Sequence, residues 1–157
     1  MKIREVNNLL LFLCSIMVML LSAGCNKDSD TSELNGTQWI AGYSDYVSGL
    51  GDIDIAYVLN FTKVKANLTT SVWGTRLSVV YTYSHTDTLV LFSDAEIVIN
   101  DDNLEFWKFV TEESEMTLQE IKELVSQALV TATLNGDTLT FPNRRLDGGD
   151  LVFERAK

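Results

Sequence analysis

The sequence has little cysteine, proline, histidine or positive charge. Its 157 residues include two cysteines, one proline, one histidine and 12 basic residues against 22 acidic ones. The formal net charge of -10 argues against nucleic acid as a partner, because phosphate recognition needs a basic surface. One histidine, with no free cysteine in the predicted mature domain, leaves no zinc site of ordinary composition. Apolar residues are plentiful: 46% of the chain is hydrophobic and 10% of the chain is aromatic. This composition supplies one core and argues against disorder.

Long apolar runs are also missing. Residues 9–21 form a run of 13 residues, apolar apart from Ser15, whereas a membrane-spanning helix needs about 20. The basic residues before the run and the small residues after it predict a signal peptide over residues 1–24. The ending Leu21-Ser22-Ala23-Gly24-Cys25 resembles a bacterial lipoprotein box. That resemblance implies that Cys25 is acylated, with palmitate among the chains, and becomes the first mature residue; an unlipidated secretory signal is the alternative.

A polar segment follows the predicted lipidation site. Residues 25–33 contain the cysteine and a tether without apolar residues, in which Lys27-Asp28-Ser29-Asp30 resembles the acidic export signals of surface lipoproteins in some Gram-negative lineages. The predicted location is therefore the bacterial outer membrane, through a lipid anchor at Cys25, on the cell surface or on the periplasmic face. Because Cys14 leaves with the signal, the mature domain has no free thiol and no disulfide, which excludes thiol catalysis.

Residues 34–157 show the alternation of antiparallel strands. The clearest runs are Ile55, Tyr57, Leu59 and Phe61, and then Leu77, Val79, Tyr81 and Tyr83. We predict a single, mainly β domain of nine or ten strands, including short ones at 96–99 and 104–110. So many half-buried strands favour an antiparallel up-and-down β-barrel or a strongly curled sheet, since closure hides the sheet edges.

One helix interrupts this pattern. Apolar residues recur at three- and four-residue spacing from Thr117 to about Ala128, which predicts an amphipathic α-helix. Thr117 and Glu120 have the spacing of a capping box at its start. After the helix, Asn135-Gly136 between apolar runs predicts a hairpin. We expect the helix to cover one open end or edge of the sheet.

Short motifs suggest two families. Leu34-Asn35-Gly36-Thr37-Gln38-Trp39 resembles the opening of small bacterial lipocalin-like domains, and residues 151–155 resemble their closing strand. This resemblance implies a lipocalin-like barrel. A helix followed by two terminal strands is similar to META-type domains of secreted lipoproteins, which is the second resemblance.

The aromatic residues are the main candidates for a site. Seven are predicted to project inward from several strands: Trp39, Tyr43, Tyr57, Phe61, Tyr81, Tyr83 and Phe92. They either fill a closed core or line a cavity for a small apolar ligand, because small barrels can hold one. Trp73 and Trp107 fall on the opposite face of their predicted strands, so they are candidates for a partner surface or for packing under the helix.

Catalytic patterns are nearly absent. His85 stands in a predicted turn with Ser84 and Asp87, where the three side chains cannot form a nucleophile–base–orienter triad. Three aspartate pairs, 52/54, 101/102 and 147/150, are explained by turns and lack the spacing of a calcium loop. We therefore predict no metal, no cofactor and no enzymatic activity.

Three hypotheses for function remain after these exclusions. The first is a binding module for a small apolar ligand. The second is a closed-core envelope protein that recognises another protein or a glycan. The third, a hydrolase, would need carboxylates paired across strands.

Overall fold

The computed structural model of the chain describes residues 33–47, 49 and 51–157. The predicted signal peptide, Cys25 and all of the tether except Glu33 lie outside the described residues. The described part contains eight strands and two helices, in this order: β1 (Gln38–Val47), β2 (Gly51–Phe61), β3 (Lys65–Val72), β4 (Thr75–His85), β5 (Leu89–Val98), α1 (Leu104–Ser114), α2 (Leu118–Ser126), β6 (Val130–Asn135), β7 (Thr138–Phe141) and β8 (Leu151–Arg155).

The strands form a closed antiparallel barrel in which each strand pairs with its neighbour in sequence. β8 pairs with β1 through Trp39–Arg155 and Ile40–Glu154, which closes the sheet on itself. This confirms the predicted mainly β, up-and-down barrel. The closing seam is short, with two residue pairs, whereas β1 and β2 pair along the whole of β1, from Gln38 to Val47.

The two ends of the barrel differ in the connections that they carry. The terminus end carries the described start of the chain at Glu33, the end at Lys157, and the short β2–β3, β4–β5 and β6–β7 connections. The helix end carries the other connections, including both helices between β5 and β6 and the 142–150 loop between β7 and β8. The two helices therefore cover one end of the barrel, as expected for the single helix that the sequence predicted.

Alternation along the strands produces the core. In β2, Ile53, Ile55, Tyr57, Leu59 and Phe61 are all buried, and the residues between them are exposed or half-buried. Successive side chains of a strand point to opposite faces, so every second residue enters the barrel. The same alternation in β8 buries Leu151 and Phe153 and leaves Val152 between them exposed.

The described residues form eight strands, one or two fewer than the nine or ten that the sequence predicts. Residues 96–99 continue β5, because a bulge at Asp94, whose φ is +49°, shifts the register with β4 and lets the strand run on to Val98. Residues 104–110 belong to helix α1. The described part of the chain therefore has two helices where one was predicted.

Helix α1 is fixed at its start by a buried amide. The Asn103 side chain donates hydrogen bonds to the carbonyl oxygens of Val98, at 3.0 Å, and Arg76, at 3.3 Å. These bonds join the helix to β5 and to β4. Trp107 and Val110, one turn apart, then pack onto the barrel.

Helix α2 has the predicted capping box. The Thr117 hydroxyl accepts from the Glu120 backbone N–H at 3.2 Å, and the Glu120 carboxylate accepts from the Thr117 backbone N–H at 2.7 Å. These bonds from Thr117 to the carboxylate hold the pKa of Glu120 below its usual value. Ile121 and Val125 then face the barrel.

Candidate functional site in the barrel interior

The predicted aromatic residues do point into the barrel. Trp39, Tyr57, Phe61, Tyr83 and Phe92 are buried, and Tyr43 and Tyr81 are half-buried against the core. Phe92 occupies the centre, with ring centroids of Tyr81 at 5.7 Å and Phe61 at 6.0 Å. Trp39 lies apart, at the terminus end, where the guanidinium of Arg155 is 5.8 Å from its ring.

Sequence reasoning missed two members of this cluster. Phe141 lies 5.5 Å from Phe92 and 5.2 Å from Phe153, between ring centroids. Phe153 in turn lies 6.0 Å from Tyr57, which joins the last two strands to the second. Both phenylalanines alternate with exposed or half-buried neighbours in their short strands, so the same period that identified the other aromatics could have identified these.

Two cavities lie in the interior towards the helix end. The barrel cavity and the helix cavity each have a volume of about 60 Å³. The barrel cavity is lined chiefly by aromatic side chains, including Tyr57, Phe92, Phe141 and Phe153. The helix cavity lies beneath α1 and α2. Four residues line both cavities: Leu68, Tyr81, Val130 and Arg144.

Arg144 and Tyr81 stand at this shared boundary and interact electrostatically. Burial raises the pKa of Tyr81 to about 12, and the positive charge of Arg144 partly opposes the rise. Desolvation lowers the pKa of Arg144. Tyr81 is therefore a neutral hydroxyl at physiological pH, beside a half-buried cation.

The loop that carries Arg144 is attached to β1 through Tyr43. The backbone N–H of Leu146 donates to the Tyr43 hydroxyl at 3.2 Å, and the guanidinium of Arg145 lies 4.8 Å from the Tyr43 ring centroid. Arg145 also forms an ion pair with Asp147 at 2.9 Å. Tyr57 stacks beside Tyr43 at 6.3 Å, and its pKa is raised chiefly by burial. The 142–150 loop thus borders the barrel cavity and is held there by contacts with the first strand.

The two remaining tryptophans differ in exposure. Trp107 is 2% exposed and lines the helix cavity, so the prediction that it belongs to a partner surface was wrong. It lies on a helix, where residues three and four apart share a face, and the strand alternation used to place it does not apply. Its indole N–H is buried without a hydrogen-bond partner in the part of the chain that the structure describes.

Trp73 is 55% exposed, at the tip of the β3–β4 hairpin. Trp73 and Gly74 both have positive φ, 50° and 79°, which is the backbone of a type I′ turn. A bulky residue rarely adopts this conformation, so the tip carries local strain. Its use as a partner contact stays a prediction.

The predicted polar candidates His85, Asp147 and Asp150 lie in different local environments. His85 ends β4 and is buried against Tyr83, whereas a turn was predicted, and Ser84 points to the opposite, exposed face. The carboxylates of Asp147 and Asp150 accept hydrogen bonds from backbone N–H groups of their own loop. No group of three or more metal-ligating side chains is placed to hold an ion among the described residues. The described helices include none long and apolar enough to cross a membrane.

Comparison of the chain with protein-family models, with curated proteins and with solved structures found no match.

Proposed function

We propose that the chain is a bacterial lipoprotein, anchored to the outer membrane through Cys25, whose barrel is a binding module for a small apolar ligand. The observation that carries the binding function is the pair of adjacent apolar cavities inside the closed barrel. Protein interiors are normally packed as densely as organic crystals, with few voids larger than a water molecule. Two neighbouring cavities in one small barrel therefore leave more empty space than ordinary packing does.

The volumes limit the size of the ligand. Typical pockets for drug-sized ligands measure about 300–1,000 Å³, whereas each cavity here measures about 60 Å³. An apolar cavity of about 150 Å³ holds benzene in another protein. If the two cavities join at their shared boundary, they accommodate a molecule of roughly that size. The proposed ligand is thus a single ring or a short chain.

The strand order supports a particular orientation of the module. The described chain starts at the terminus end, next to β1, while the cavities lie towards the helix end. An anchor that precedes Glu33 therefore joins the barrel on the side away from the cavities. The 142–150 loop and the helices face outward from the membrane, whichever face of the outer membrane carries the protein.

The anchor is tested by palmitate labelling in the native host or a related bacterium. Cys25→Ser should abolish incorporation of labelled palmitate and release the protein from the membrane fraction. Cys14→Ser is the matched control, because Cys14 leaves with the signal peptide, and it should be labelled normally. Labelling of the Cys25→Ser protein would refute the anchor.

The interior site is tested with benzene as a probe. Leu68→Phe fills space at the boundary of both cavities, whereas Val64→Phe makes the same type of enlargement at a residue that is 58% exposed. Ligand-detected NMR should show benzene bound to the unmodified protein and to the Val64→Phe protein, and weaker binding to the Leu68→Phe protein. Equal binding by all three proteins would place the benzene elsewhere.

A second candidate function, recognition of an envelope protein or glycan, is favoured by Trp73. This side chain is exposed in a backbone conformation that costs stability, and such strain often marks a functional contact. Trp73→Asn should reduce recovery of a partner in pull-down from envelope extract, while Ile40→Asn, at an exposed site on the barrel wall, should not. Equal recovery with both variants would exclude Trp73 as the contact.

A further inference from the structure

We propose that the helix cavity binds a neutral ligand through a carbonyl oxygen, which accepts a hydrogen bond from the indole N–H of Trp107. This inference rests on the proposed binding function and adds the polar group that the ligand carries. It follows from a buried donor that has no acceptor and from the empty space that borders it.

The indole N–H of Trp107 is the donor in question. Trp107 is 2% exposed, and its Nε1 atom is buried without a hydrogen-bond partner among residues 33–47, 49 and 51–157. An indole N–H can only donate, and most buried polar groups in native proteins are hydrogen-bonded. The same side chain lines the helix cavity, so an acceptor atom in this cavity would satisfy the N–H.

Contacts within the protein hold the indole ring in place. Asn103, one turn earlier, joins the start of α1 to the carbonyl oxygens of β4 and β5. Phe106 also lines the cavity and lies edge-on to Trp107, with ring centroids 5.3 Å apart and an angle of 83° between the planes. A donor that is already ordered loses little conformational freedom on binding, which favours a ligand at this position.

The Thr70 hydroxyl borders the same cavity from the barrel wall. Thr70 continues the inward alternation of Ala66 and Leu68 in β3, and it is 5% exposed. A hydroxyl can donate to one lone pair of a carbonyl oxygen while the indole N–H donates to the other. A carbonyl group therefore suits a cavity that is bordered by both residues.

The rest of the lining favours a neutral molecule with a small hydrocarbon body. Of the twelve described residues around the cavity, eight have purely hydrocarbon side chains and none is a carboxylate. Arg144 also lines the cavity, but it has an interaction of its own within the protein, so its charge does not call for an anion. A carbonyl oxygen accepts without donating, whereas a ligand hydroxyl would bring a proton that needs an acceptor in turn.

Cyclopentanone is therefore the probe, and methylenecyclopentane is the matched hydrocarbon, with a CH₂ group in place of the carbonyl oxygen. Both have as many heavy atoms as benzene, the size that the two cavities together allow. The full-length ¹⁵N-labelled protein is titrated in a non-ionic detergent at constant concentration. NMR reports the indole N–H signals of its three tryptophans and the affinities, the latter from the backbone amides of Leu68 and Val130.

Three variants separate the hydrogen bond from the apolar contacts. Trp107→Phe removes the indole N–H and keeps an aromatic ring. Trp73→Phe makes the same change at a side chain that is 55% exposed, and it is the matched control. Thr70→Val removes the hydroxyl with little change of shape. If Trp107→Phe does not fold, the indole signal of the unmodified protein and the Thr70→Val variant still decide the outcome.

Cyclopentanone is expected to move the Trp107 indole proton signal downfield, and methylenecyclopentane is not. Trp107→Phe should weaken the binding of cyclopentanone relative to methylenecyclopentane by about 3-fold to 10-fold, as expected for one neutral hydrogen bond, and Thr70→Val should weaken it by a smaller factor. Trp73→Phe should leave the ratio of the two affinities unchanged.

A Trp107 indole signal that does not respond to bound cyclopentanone would overturn the carbonyl contact. An affinity ratio that is unchanged in every folded variant would do so too, and both results leave the apolar binding function standing. A nuclear Overhauser effect between the Trp107 N–H and a long-lived water at saturating cyclopentanone would also overturn the contact, because water would then be the acceptor. Failure of both probes to bind would overturn the contact and the binding function together.

Discussion

Replacing Phe92 by alanine tests whether the aromatic interior holds the barrel together. Phe92 is 1% exposed, and its ring lies within 6.0 Å of three other rings, those of Phe61, Tyr81 and Phe141, measured between centroids. Full burial of a phenylalanine side chain contributes about 1.5–3 kcal/mol. Each aromatic pair adds about 0.5–1.5 kcal/mol, and the substitution also leaves a cavity. We therefore expect Phe92→Ala to reduce the free energy of unfolding by about 3–5 kcal/mol, the range measured for such core truncations.

Urea unfolding followed by far-UV circular dichroism measures this loss without depending on the removed ring. Leu89→Ala, in the same strand but at a side chain that is 44% exposed, is the control, and it should change the free energy of unfolding by no more than about 0.5 kcal/mol. A loss below about 1 kcal/mol for Phe92→Ala would contradict the proposed packing. An equal loss for the two variants would also contradict it, because burial of the side chain would then not determine the change in the free energy of unfolding.

Three further substitutions test local structure, each by urea unfolding. Thr117→Ala removes the helix cap and should reduce the free energy of unfolding by about 1 kcal/mol at neutral pH. The folded pKa of Glu120 is lowered, so the stabilisation by its carboxylate is present above the usual pKa and is lost as the pH falls through the lowered pKa. The effect of Thr117→Ala should therefore shrink in acid. Trp73→Asn replaces a bulky residue at φ 50° and should stabilise the protein by about 0.5–1 kcal/mol, and a loss of stability would contradict the assigned strain. Gly136→Ala, at φ 57° with no atom near the new methyl group, should destabilise by about 1–2 kcal/mol, and no change would show that the turn does not require glycine.

The barrel strands could be predicted because a simple period controls them. Ile55, Tyr57, Leu59 and Phe61 alternate with polar or small residues, and all four are buried in the barrel. The start of α2 was equally predictable, because Thr117 and Glu120 satisfy each other through local hydrogen bonds that depend only on their spacing. Both features are encoded within a few residues of chain.

Helix α1 could not be identified from residue preferences alone. Residues 104–110 contain three aromatic residues and a valine, which favour strands, so their composition predicts a strand. Some of the contacts that stabilise the helix come from residues distant in sequence. The Asn103 amide donates hydrogen bonds to the carbonyl oxygens of Val98 and Arg76, and Trp107 packs on the barrel. Tertiary contacts of this kind outweigh local preference, and a single sequence does not reveal them.

The position of Arg144 at the cavities could not be predicted from the sequence either. The 142–150 loop has no period, so nothing in the sequence distinguishes Arg144, which lines both cavities, from the neighbouring Arg145, which contacts Tyr43 and Asp147. Only the closed barrel brings Arg144 beside Tyr81, which precedes it by 63 positions. The aromatic half of the candidate site was therefore predictable, and its charged residue was not.

Native mass spectrometry of the detergent-extracted protein, after exposure to envelope extract from its own cells, tests the binding function most directly. We expect the unmodified protein and Val64→Phe to retain one small molecule, and Leu68→Phe to lose it, because Leu68 lines both cavities. A protein that carries no added mass, or an added mass that Leu68→Phe retains equally, would contradict a ligand site inside the barrel.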